Sequence, residues 1–108
     1  MSFVYEVNLE VKAHRTQEFA DWLSSHIQEM LTFSGFLNAT WYTRKPEDEA
    51  NQQTVTLWTI HYHLESAASY QNYVDTHATR MRTEGVSLFG DDFSASRRLL
   101  HQQQTFTR

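Results

Sequence analysis

The stretch Phe3-Val4-Tyr5-Glu6-Val7-Asn8-Leu9-Glu10-Val11 alternates its side chains, apolar Phe3, Tyr5, Val7, Leu9 and Val11 against Glu6, Asn8 and Glu10. That is the period-two signature of a strand with one buried face. The period then changes. From Thr16 to Leu31, Phe19, Trp22 with Leu23, His26 with Ile27, and Met30 with Leu31 return every three or four residues, which predicts an amphipathic helix. Ser34-Gly35 closes it, because glycine accepts the left-handed turn after a helix.

Working outward, a second strand is expected over about Phe36–Arg44, with Leu37, Ala39 and Trp41 on one side and Asn38, Thr40 and Tyr42 on the other. Lys45–Gln53 is polar, holds the single proline and reads as a hairpin loop. A third strand over about Thr54–Leu64 sets Trp58, Ile60, Tyr62 and Leu64 against Val55, Leu57, Thr59, His61 and His63. Ser66 suits the cap of a second helix, whose stripe is Tyr70, Tyr73 with Val74, His77 with Ala78, and Met81. Gly85 and Gly90 bracket Val86–Phe89, expected as one helical turn. A last strand over about Asp92–Gln102 is followed by a tail, 103–108, expected to fray.

Strand, helix, strand, strand, helix, strand is the split βαβ order. We therefore expect a single α+β domain over residues 1–108, ferredoxin-like βαββαβ with a four-stranded antiparallel sheet. Two helices cover one sheet face. The more apolar side (Tyr5, Val7, Leu9, Ala39, Trp41, Trp58, Ile60, Tyr62) should lie beneath them. The other side then presents Glu6, Asn8, Thr40, Tyr42, Thr59 and His61 beside Val4, Val55 and Leu57. Too polar for a dry interface and too apolar for a wetted one, this face is expected to meet a second copy. The result would be a homodimer of the dimeric α/β-barrel type enclosing a partly polar cavity.

Composition narrows the function classes. With 108 residues, 40% apolar and 14% aromatic, the chain can build one core. It contains no cysteine, which removes disulfides, thiolate catalysis and cysteine-held metal centres. The net charge is −4, with basic residues scattered. Arg80 with Arg82 and Arg97 with Arg98 read as solvated helix and strand ends. A nucleic-acid partner is not expected, nor a membrane, since no apolar run approaches the ~20 residues a span needs. Met1–Glu6 lacks the basic start of a secretory signal, so a cytoplasmic protein is expected.

Several stretches together carry a resemblance: Tyr5-Glu6-Val7-Asn8, Trp22-Leu23 with His26-Ile27, Ser34-Gly35-Phe36 with Ala39, Tyr70 with Tyr73, and His77-Ala78. The most specific is Phe89-Gly90-Asp91-Asp92-Phe93 followed by Ala95 and Arg97. Over nearly its whole length the chain resembles a bacterial family of short proteins catalogued as a domain of unknown function (4286). That family resembles the dimeric α/β-barrel superfamily, which includes small monooxygenases, isomerases and haem-degrading proteins. The resemblance implies a fold and a dimer, and brings no catalytic residue.

Candidate chemistry is therefore read from the residues. His61 and His63, two apart on a strand, share a side and can hold a metal only with a third ligand such as Glu6; partial exposure at a strand end is the simpler reading. His26 and His77 lie on or beside helical stripes, where a ring packed at the core boundary with one nitrogen on backbone is usual; of the two, His77 is favoured as functional, at a barrel mouth. Arg97 breaks the apolar series Phe93, Ala95, Leu99. Either Asp91 or Asp92 neutralises it, or the parity of the last strand is reversed and it reaches the cavity between the two sheets as an anion clamp. Asn8, a tryptophan and a histidine are residue types that haem-degrading relatives use, but Trp58 alternates away from His61. Strand three has no glycine and no basic residue, unlike RNA-recognition sheets. A phosphate-cradling glycine loop is excluded by three glycines in all.

Two functions remain. One is a small-molecule-binding barrel, a cofactor-free oxygenase or isomerase with no metal, whose candidate ligand residues are Glu6, Asn8, Tyr42, Thr59, His61, His77 and Arg97. The other is a dimerisation or accessory module without a ligand.

Overall fold

The computed structural model describes residues 3–45 and 54–108. Its order is β1 (Phe3–Lys12), α1 (Thr16–Met30), β2 (Phe36–Thr43), β3 (Val55–Leu64), α2 (Ala67–Thr76), α3 (Ala78–Phe89) and β4 (Phe93–His101), with 3₁₀ turns at Ala13–Arg15 and Gly90–Asp92. The strands form one sheet in the order β2-β3-β1-β4, and every neighbouring pair is antiparallel. This is the ferredoxin-like α+β fold, with three helices over one face. The expected hairpin loop falls, from 46 to 53, outside the described residues.

Register explains which residues enter the core. Tyr5 faces Tyr62 and Leu99, Val7 faces Ile60 and Arg97, and Leu9 faces Trp58 and Ala95. With period-two alternation these share the helix-covered face. Tyr5, Val11, Phe19, Met30, Ile60 and Met81 are essentially inaccessible there.

Four expectations need correction. A bulge between Phe36 and Asn38 shifts β2 by one residue. Phe36 therefore takes the core position, and Leu37 is turned out to 62% exposure. The second helix does not end near Met81. It breaks at His77 (φ −124°) and resumes as α3 straight through Gly85 to Phe89. Gly85 is there for close approach rather than termination: a Cβ would meet the Trp22 ring at 3.0 Å and Phe93 at 3.4 Å. Asp92 does not neutralise Arg97. It binds Arg15 at 2.7 Å, with Lys12 and His14 nearby. Finally, Arg82 is not a solvated helix end but reaches inward to Tyr5, whereas Arg80 does stay outside, paired with Glu29 at 2.8 Å.

Other signals hold. The Ser66 hydroxyl accepts from the Ser69 N–H at 3.2 Å, capping α2. Gly35 has φ +83° and lies so near α2 that a Cβ would fall 2.0 Å from the Ser69 hydroxyl.

Candidate functional site

Polar side chains gather at two places, on opposite faces of the sheet. The open face holds the first. On β1, Glu6 is only 5% exposed. Its carboxylate accepts from Asn8 at 2.9 Å, meets His61 Nε2 at 2.8 Å, and takes the Arg98 Nε–H. Thr59 donates to Asn8 at 2.6 Å, and Arg44 donates to Thr59 at 3.0 Å and to the Trp58 carbonyl. Burial alone would raise the Glu6 pKa, but Arg98, Asn8 and His61 outweigh it and bring the carboxyl from 4.5 down to about 2.

This network brings together Glu6, Asn8, Thr59 and His61, four of the candidates. Tyr42 stands beside it, its ring edge-on to His61 at 5.3 Å. Arg44 and Arg98 complete it; Arg98, which reads from the sequence as a solvated strand end, binds Glu6 instead, and Arg44 carries no signal in the sequence. Within this cluster the polar groups answer one another. No group of three His, Cys, Asp or Glu suited to a metal occurs among the described residues.

The second place is a cavity of about 40 Å³ between the helices and the sheet, room for a few water molecules where one needs roughly 10–15 Å³. Its walls are apolar and aromatic: Phe19 and Trp22 from α1, Tyr62 from β3, Tyr73 from α2, Phe93 from β4. Into it come His26 from α1, Arg82 from α3 and Arg97 from β4. Arg82 donates to the Tyr5 hydroxyl at 3.1 Å. Two further nitrogens here, His26 Nδ1 and Arg82 Nε, are buried without a partner among the described residues, as is Arg15 Nε outside the cavity, which is costly unless something else satisfies them. Burial keeps His26 below its ordinary pKa despite Glu84 and Glu29, with Arg97 acting in the same direction as burial. Its imidazole is thus neutral at pH 7. Burial also pushes Tyr73 up to about 12 and Tyr62 upward as well, so the phenols remain protonated.

His26 is the residue that sequence reasoning underrated. Its ring lies on Trp22 at 4.5 Å, and no backbone bond to its free nitrogen forms. His77, the favoured histidine, instead stacks flat on Phe33 at 3.9 Å, away from the cavity. Arg97 lies on the helix-covered face, opposite Val7, so the reversed parity that would have sent it to the open-face cavity is not adopted; it lines the helix-side cavity instead. The signal for His26 was its place on the Trp22 stripe; the signal for Arg82 was its one-residue spacing from Met81, on the edge of the buried face.

The model of the family described as "Domain of unknown function (DUF4286)" matches residues 2–103. The chain belongs to that family. No curated protein matches this DUF4286 chain in sequence. Solved structures share its fold. SnoaB, a cofactor-independent oxygenase from Streptomyces nogalater, aligns over 100% of both chains at 11% identity, TM-score 0.70. A conserved protein from Methanosarcina mazei Go1 aligns over 95% of this chain and 94% of its own at 15% identity, TM-score 0.69. The de novo designed protein Foldit4 aligns over 95% and 100% at 12% identity, TM-score 0.62. A fold shared by an oxygenase and a designed protein establishes architecture and leaves activity to the site.

Proposed function

We propose that this protein binds a small organic molecule in the cavity between helices and sheet, as a homodimer joined through the open sheet face. The observation that carries the reading is the pair of partnerless nitrogens, His26 Nδ1 and Arg82 Nε, on the wall of one aromatic cavity. The open-face candidates are satisfied among themselves, so they suit association, with the Glu6 network fixing register; two of the groups still wanting a partner line the helix-side cavity. At about 40 Å³ the cavity must widen for an organic ring. Met30 and Met81 on its wall are the side chains best able to re-pack.

The activity class this site suits is cofactor-free oxygenation or isomerisation. Both begin by withdrawing a proton from an acidic substrate. A neutral imidazole can accept that proton, and two guanidiniums can stabilise the anion left behind. Similarity of fold to a cofactor-independent oxygenase agrees with this class. The small cavity also favours a second reading, a dimerisation module that takes no ligand.

Thermal unfolding with a panel of aromatic acids, phenols and haem separates the two. A ligand at 100 times its Kd adds about 2.7 kcal/mol, a rise in Tm well above scatter for a domain this size. The binding reading expects such a rise for at least one aromatic compound, and its loss in Gly85→Leu, which fills the space beside Trp22. Unchanged melting across the panel supports the ligand-free module.

A further inference from the structure

We propose that the ligand of this cavity is a flat aromatic anion whose negative group is held between Arg82 and Arg97. The inference rests on the binding reading above and deepens it. Two guanidiniums enter one cavity from opposite layers, Arg82 from α3 and Arg97 from β4, and among the described residues no Asp or Glu lines that cavity. Among the described residues, neither forms an ion pair, whereas Arg15, Arg80 and Arg98 each meet a carboxylate. Nothing in the local packing asks for a cation at Arg97: it faces Val7 across the strands, with Ala95 and Leu99 as its neighbours on that side of β4. Half-buried Arg82 bonds the Tyr5 hydroxyl and meets no carboxylate among the described residues, so an anion arriving there is favoured, and exposed Arg97 adds its charge from the solvent side.

The shape of the anion follows from its surroundings. A guanidinium presents a planar fork that matches a carboxylate or an ionised phenol. Trp22, Tyr62, Tyr73 and Phe93 offer ring faces and edges to a flat apolar body. Arg82 is half-buried and Arg97 exposed, which puts the charged group toward solvent and the ring inside. The neutral His26, with its free nitrogen, then serves a hydroxyl on the same ring.

The test compares 2-naphthoate with 2-naphthamide, which share a ring system and differ in charge, by tryptophan fluorescence and calorimetry on the full chain. The expected result is at least tenfold tighter binding of the carboxylate. In Arg97→Gln that preference falls severalfold, and an undiminished preference overturns the role of Arg97; Arg97 is exposed, and circular dichroism melting verifies that the variant folds. Equal binding of the two compounds overturns the anion inference and leaves the cavity reading standing. Binding of neither overturns both.

Discussion

The Arg82 guanidinium on α3 donates a 3.1 Å hydrogen bond to the Tyr5 hydroxyl on β1, tying a helix to the central sheet across the wall of the cavity. The bond satisfies one guanidinium nitrogen while Nε of the same group has no partner. Tyr5→Phe removes the acceptor and nothing else of size. Because a charged donor loses its partner, the expected cost is about 1.5–3 kcal/mol, read from urea unfolding. An unchanged unfolding midpoint would show that water replaces the hydroxyl freely.

Glu6 gives the fold its acid sensitivity. Its folded pKa, about 2, lies below the ordinary 4.5, so the unfolded chain takes up its proton first. The stability it contributes is complete above about pH 4.5 and is lost as pH falls toward 2. Glu6→Gln should flatten that limb of a stability–pH curve measured between pH 6 and 2. If the variant and the parent lose stability in parallel, another carboxylate is responsible.

Gly35 is held by conformation and by space at once. It has φ +83°, and a Cβ would meet the Ser69 hydroxyl at 2.0 Å and the Ser69 Cβ at 2.4 Å. Gly35→Ala should therefore destabilise by more than about 1 kcal/mol. Chemical denaturation at neutral pH measures it, and a cost near zero would mean that α2 slides away without penalty.

The open face predicts assembly. Sedimentation of the parent protein should give twice the 12.8 kDa chain mass. Tyr42 is 46% exposed on that face, so Tyr42→Lys should leave the folded chain intact. Placing a charge in the contact should weaken association at least tenfold, about 1.4 kcal/mol. A parent that sediments as a monomer at micromolar concentration contradicts assembly through this face.

What could be read from the sequence was whatever depended on period. Alternation in β1 and β3 assigned Tyr5, Val7, Ile60 and Tyr62 to one side and Glu6, Asn8, Thr59 and His61 to the other, as the register has it. Departures from period were invisible. The bulge that exchanged Phe36 for Leu37 leaves no mark on composition. Gly85 read as a boundary because a helix interior normally disfavours glycine, and only the packed Trp22 explains it. The candidate site shows the same division. Residues sharing a strand face were gathered correctly, whereas the cavity needs His26, Arg82 and Arg97 from three elements whose mutual approach is tertiary. Both parities were open for Arg97 in the sequence, and its lack of a carboxylate follows from Asp92 being taken by Arg15.

A ligand that enters between helices and sheet lies beside Trp22. The chain has three tryptophans, and their indole N–H signals report on separate places: Trp22 lines the cavity, while Trp41 stands on β2 against Trp58 at 4.8 Å. Titrating the isotope-labelled protein with 2-naphthoate and 2-naphthamide should shift the Trp22 indole signal saturably and leave that of Trp41 in place. A Trp22 signal that stays fixed while either compound demonstrably binds would put the ligand outside this cavity.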